Sequence, residues 1–480
     1  MTQKKHAYPW IVALVGVALL WLFFGLCYPY HLRHREQTIL FLANADWIRD
    51  TYYAPHSTGA TVRMLGDGLQ QYFYYIGAGP TILALLLGLL GVVWYQIGRS
   101  CCSRLPRVWA NILPWLLSVG VVLWEGGREC LPEYPVASTL QLLGWSALLL
   151  GVIRCAHGWL AKAACAVLAL VSGVWLLGYE PLPQTKLWGK PDMLLEQQMA
   201  LDVEASLGNW QQVEQLSKQP SLYRFNAYYR NLSRARRGEL LDQWSDLARL
   251  GSESLFLPVN ETGNYFQFSA VGEAWWAVGD LTMAEHATLL GMIFSPRHTG
   301  SRQLRRLAEI AIKRGDAEGA DKYLRLLAQS TVHRQWALSK RELLSSDMTS
   351  AQTTIMTDTL RLASELPLCL RTVLDADPTN AIARQYLLCL DLMYHDLQAL
   401  ADDIDRYGCP LGARALEEAM LVVMETHPER REPWQPLIRQ KTYDDFLQFN
   451  QFFVQCQGNP ALMKPKYGNS YWYDLRFAKP

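Results

Sequence analysis

Catalytic fingerprints are absent from these 480 residues. There is no GxSxG elbow, no GxxxxGK phosphate loop and no GxGxxG turn, so nucleophile-elbow and nucleotide readings have no footing. No HExxH helix and no CxxC pair occurs. Cys101 and Cys102 are adjacent and have no histidine at zinc-finger distance, so neither a metal nor a cofactor is expected. Surplus charge is also missing. A net charge of +1, with no long block of like sign, gives nucleic acid nothing to bind. Finally, no small-x-small cleavage site follows the first apolar run, and in FFGLC, before Cys27, Leu26 stands where a lipoprotein box needs a small residue. An uncleaved anchor is the expectation.

What is abundant is apolar length. Five runs, about 9–27, 74–98, 108–124, 136–153 and 159–178, are long enough to cross a hydrocarbon layer of about 30 Å as helices. Trp10, Trp94, Trp109, Trp124, Trp159 and Trp175 fall near their ends, where an amphipathic ring suits the headgroup boundary. No ionisable residue stands at the centre of a run, which argues against a proton or ion pathway. Arg99, Arg104, Arg107, Arg154 and Lys162 collect between alternate runs and match the basic N-terminus, so those segments should face the cytoplasm. The loop 28–73 and the segment bearing Glu125, Arg128, Glu129 and Glu133 should then face outward, together with everything after the linker 181–191. Arg33 and Arg35 run against this orientation.

From 192 the pattern becomes amphipathic helices and polar turns. In LAEIAIKRGDAEGADKYLRLL, residues 307–327, Leu307, Ala308 and Ala311 share one face. Gly315 and Asp316 break the helix, and Ala320, Leu324 and Leu327 form a second stripe. The same order occurs about 36 residues earlier, with Gly272 and Trp275 before Gly279 and Asp280, then Ala284 and Pro296. This pattern resembles the tetratricopeptide repeat, best over 265–332 and again over 375–407, where Asp377, Pro378 and Asn380 open a helix. The resemblance implies close helix pairs meeting at Gly272, Ala284, Ala308 and Ala320, stacked into a grooved solenoid over 192–457. A non-repetitive helical bundle is the other arrangement the pattern allows. The aromatic tail 458–480 would dock on the last repeat. The expected fold is therefore all-α: a transmembrane bundle, then a tetratricopeptide-like solenoid. The stretches FLANADWIRDTYY and LGDGLQQYFYYIGAGP, with the overall layout, resemble a family of uncharacterised Bacteroidota inner-membrane proteins. That resemblance implies an envelope location and no activity.

Cysteines in apolar runs behave as small hydrophobes. Cys130, Cys369, Cys389, Cys409 and Cys456 would share one compartment, as buried thiols or with a disulfide among them; a domain of this size does not need staples. His31 and His34 lie at i, i+3 but lack a third ligand, so HLRHR reads as an interfacial basic cluster. Glu125-Gly-Gly-Arg128-Glu129 reads as a tight turn at the membrane, and Asp358-Thr359-Leu360 as a short O-glycosylation motif. Two functions fit. The first is an inner-membrane protein in contact with the bilayer whose periplasmic repeats bind envelope proteins or peptides, alone or as a subunit of a larger assembly. The second is a membrane enzyme acting on a lipid-linked substrate, with Asp46, Asp50 or Glu125, aided by Arg128 and Glu129, as the acid-base group.

Overall fold

An apolar run of about 20 residues can satisfy its backbone in lipid only as a helix, and the computed structural model is helical throughout, with no strand among the described residues. Those residues are 7–54, 58–132, 134–155, 158–178, 192–218, 224–259, 265–295, 297–347 and 365–478. Glu133, the linker 181–191, Pro296 and the motif 358–360 lie outside them.

The first nine helices are α1 (Ala7–Cys27), α2 (Pro29–Gln37), α3 (Ala45–Ile48), α4 (Ala60–Gln70), α5 (Ala78–Cys101), α6 (Arg107–Glu129), α7 (Val136–Cys155), α8 (Trp159–Leu177) and α9 (Met193–Ser206). Four of them, α5 to α8, are long and apolar enough to cross a membrane, and α1 joined to α2 makes up to five. The join is bent by 76°, because Pro29 at the start of α2 has no amide to continue the α1 ladder. Leu160, Val167, Leu168 and Val171 on α8 are exposed, as a lipid-facing stripe would be. The stretch 28–73, expected as a loop, contains α2, α3 and α4. The expected turn at Glu125-Gly-Gly-Arg128-Glu129 is instead the last part of α6, held helical by partners described below.

Contacts group the chain into two compact units that are discontinuous in sequence. One holds residues 1–203 with 294–312 and 316–350; the other holds 204–293, 313–315 and 351–480. The helices Ser301–Arg314, Ala317–Leu327 and Arg334–Asp347 therefore group mainly with the apolar helices, rather than with the rest of 192–457. Their stripe of Leu304, Ala308, Leu324 and Leu327 closes on Leu40 and Leu42, from the segment after α2, and on Ala337. Asp316 caps the second of these helices through the Gly319 amide. In the same unit, α4 lies backbone to backbone on the start of α7: a Cβ on Gly66 would stand 2.7 Å from the Ala137 nitrogen.

In the other unit the helices Tyr265–Val278 and Leu281–Ile293 form a hairpin whose contact runs through Gly272, Ala284 and Ala287. Gly279 ends the first helix at φ +92°, and the Asn380 side chain bonds the Val278 carbonyl at 2.7 Å while capping its own helix through Ala383. A Cβ at Gly279 would stand 3.3 Å from that amide nitrogen. Gly279→Ala is accordingly expected to lower stability by about 1–2 kcal/mol, read as a shift in the thermal unfolding midpoint. The chain ends docked: Tyr471 and Trp472 are buried, with the Trp472 indole donating to the Glu418 carbonyl at 2.8 Å. Phe446, Phe449 and Met463 complete that cluster. Cys369 and Cys389 are buried free thiols.

Candidate functional site: a buried charge network at one end of the apolar helices

Glu125 and Glu129 are one turn apart on the last part of α6, and both are completely buried. Thr139, near the start of α7, stands 2.7 Å from Glu125 and 2.6 Å from Glu129. Its hydroxyl has one proton, which the two carboxylates share. Tyr134 donates its hydroxyl to Glu125 at 2.8 Å. Arg35 of α2 reaches Glu129 at 2.8 Å with one guanidinium nitrogen and donates to the Tyr134 carbonyl with the other. Arg128 is sandwiched over the rings of Trp124 and Tyr134, 3.6 Å from Glu125. Two acids thus face two bases in a closed, neutral core. Gln70 of α4 donates to the Arg35 carbonyl at 2.9 Å and ties in that helix.

The opposite face of α2 is polar and equally buried. Glu196 of α9 accepts from the Tyr30 and His31 amides at 2.6 and 3.1 Å, placing a carboxylate on the helix N-terminus. Asp202, two turns further along α9, pairs with Arg302, one contact being 3.0 Å, and lies 3.5 Å from His34. Glu36 accepts from Ser301 at 2.8 Å and lies 2.9 Å from His333. Backbone bonds from Ser301 to the Ile39 carbonyl and from Ala43 to the Gln329 carbonyl extend the seam. HLRHR is therefore not an interfacial cluster. Its side chains, Arg33 apart, are buried, with Arg35 facing Glu129 of α6 and His34 facing Asp202 of α9.

The two carboxyls on α9 are shifted in opposite directions. Burial pushes Glu196 up to about 7, outweighing its two amide partners. Burial also works against ionised Asp202, but Arg302 and His34 outweigh it and hold that carboxyl below the usual range. Between its ordinary value of 4.5 and about 7, native Glu196 keeps a proton that the unfolded chain has lost. Its contribution is whole below pH 4.5 and is lost as pH rises through 7. Glu196→Gln should flatten that slope, an effect on the order of 3 kcal/mol, measurable as the thermal midpoint from pH 4.5 to 7.5.

The other sequence candidates lie elsewhere. Asp46 and Asp50 are exposed and share Arg49, at 3.2 and 3.0 Å, and the structure does not bring them to the network. Asp67 is buried against Tyr52 at 2.9 Å and Arg297 at 3.2 Å, and burial raises its carboxyl. Gly272, Gly279, Ala284, Ala308, Gly315 and Ala320 sit at helix contacts or turns; Gly315 has φ +79°, and the three alanines are fully buried. Glu36, Glu196, Asp202, Ser301, Arg302 and His333 were not singled out by sequence as a site, and His34 was weighed only as a metal ligand beside His31. The available signal was the charge density of HLRHRE directly after an apolar run. Among the described residues no three metal-ligating side chains converge.

The described residues thus define an all-helical protein in which four helices, or five with α1 and α2 joined, are long and apolar enough to cross a membrane, closed at one end by a buried charge network. The chain belongs to DUF6057, a family of unknown function, which matches residues 5–183 and again 179–478. No curated protein and no solved structure matches.

Proposed function

We propose that this chain is a membrane-anchored scaffold of the bacterial envelope: α1 and α5 to α8 hold it in the inner membrane with the N-terminus cytoplasmic, and the helices after α9 receive a protein or peptide partner on the periplasmic side. In this reading the hairpins of 265–293 and 381–407 are tetratricopeptide-like units. The observation that carries it is the state of the candidate acid-base groups. Glu125 and Glu129 are sealed at 0% exposure, each with one oxygen on the Thr139 hydroxyl, while Asp46 and Asp50 stand in solvent beside one arginine. An acid-base group must reach its substrate; Glu125 and Glu129 are closed to one, and Asp46 and Asp50 stand on an open surface, outside the buried network. Two further features support the reading. Tyr443, Leu447 and Val454 leave an apolar stripe exposed along the helix Gln440–Gln455. Arg35, which ran against the orientation, spends its charge on Glu129 inside the fold.

The test is crosslinking and pull-down from intact membranes, read beside the phenotype of a deletion strain. Leu447→Glu with Val454→Glu should abolish partner capture and phenotype, while Asp46→Asn with Asp50→Asn should leave both intact. Loss of phenotype in the aspartate variant with capture preserved would instead identify an enzyme acting on a lipid-linked substrate at the outer leaflet. Alkaline phosphatase fused after Pro480 should be active, and a fluorescent cytosolic reporter there would overturn the orientation.

A further inference from the structure

Helices α1 and α6 both lie against α5, and between them runs a cavity of about 1070 Å³. Its walls are apolar for most of their length, with Val17 and Phe23 from α1 and Val119 from α6. Leu19 and Leu123 on its rims are more than half exposed, so the groove opens sideways, toward the surroundings of the helices. Gly16 adds space: a Cβ there would meet nothing within 4 Å. The polarity is concentrated at one end, where Gln96, Arg99 and Ser100 of α5 meet Arg154 at the end of α7. Both arginines are exposed, no acidic residue lines the groove, and neither guanidinium has an acidic partner among the described residues. What sets the groove apart is two arginines without an acidic partner at the mouth of an apolar slot.

We propose that this groove is a binding site for an anionic phospholipid, with an acyl chain along α1 and α6 and the phosphate held by Arg99 and Arg154. From Arg99 back to Leu87 the α5 wall is about 18 Å long at 1.5 Å per residue, close to the depth of one leaflet of a hydrocarbon core about 30 Å thick. Guanidinium groups bind phosphate oxygens through paired, charge-assisted hydrogen bonds. A free anion would leave the apolar walls uncovered, whereas a lipid fills both parts. The site rests on the membrane placement of α1, α5 and α6 in the proposed function, and not on the capture of a partner.

The experiment is native mass spectrometry of the full chain in detergent, offered equal amounts of phosphatidylglycerol and phosphatidylcholine with identical acyl chains. Retention of phosphatidylglycerol should exceed that of phosphatidylcholine roughly tenfold. In Arg99→Gln/Arg154→Gln the two should be held equally, at an unchanged unfolding temperature. Gly16→Phe, which fills the slot, should lose both. Equal retention by the parent chain, or a preference surviving the double substitution, would overturn the site. So would a photoreactive group at Val119 that links to a polypeptide rather than to lipid. Release of the chain from membranes by alkaline carbonate would remove the bilayer itself; a chain that stays in the pellet yet shows no lipid preference refutes the groove alone.

Discussion

Arg35→Met is expected to destabilise the protein by about 3–5 kcal/mol, because it strands a fully buried carboxylate. Glu129 would keep Thr139 but lose the guanidinium 2.8 Å away, and Tyr134 would lose the donor to its carbonyl. The pair itself need not be strongly stabilising, since removing both charges from water costs nearly as much as their attraction returns. The double variant Arg35→Met/Glu129→Met should therefore recover most of the loss. Unfolding midpoints of the purified chain in detergent, by intrinsic fluorescence, check both variants. If the single variant unfolds at the parent temperature, the network does not hold α2 to α6.

Asp202→Ala should have a comparable effect at a different place. It deprives Arg302, whose side chain is largely buried, of its two-point partner and leaves His34 without the nearby carboxylate. The expected loss is again about 3–5 kcal/mol, and it should release the helices 301–347 before the apolar helices unfold. Limited proteolysis, with cleavage between 294 and 347 preceding any other, is the measurement. Acid should mimic the substitution. A carboxyl held below its ordinary 3.8 contributes fully above that value and loses its contribution as pH falls through its lower native one. Since Glu196 acts in the opposite sense, these two groups on one helix together place the most favourable pH near 4 to 4.5. Asp202→Asn should remove the acid side of that optimum and leave the other.

The apolar helices were legible because length and hydropathy are local properties: four of five expected runs coincide with helices that qualify alone, and the first qualifies jointly with α2. The helix turn at Gly315 and Asp316 and the cap at Asn380 were legible for the same reason, each being decided by residues within one turn. The charge core was not. Nothing near HLRHR reveals that Glu129 lies 2.8 Å from Arg35, because the two are 94 residues apart. Likewise the stripe of Leu304, Ala308, Leu324 and Leu327 announced a buried face without naming Leu40 and Leu42 as its cover. Glycine pairs mark turns so often that Gly126 and Gly127 hid the continuation of α6, which depends on side chains reaching in from α2 and α7. Asp46 and Asp50 drew notice as acids in the stretch 28–73, yet they share the single Arg49 on an exposed surface.

Ser301 and Glu36 are separated by 265 residues, which orders events on the ribosome. At roughly 5–20 residues per second, α2 leaves the synthesis machinery between about a quarter of a minute and a minute before the serine that will bind its glutamate exists. During that interval Glu36 has neither Ser301 nor His333, and Leu40 and Leu42 have no cover. Nascent chains halted before residue 300 should thus expose a greasy, acid-bearing edge beside the newly made apolar helices, an attractive target for quality-control proteases and a reason for such fragments to be short-lived.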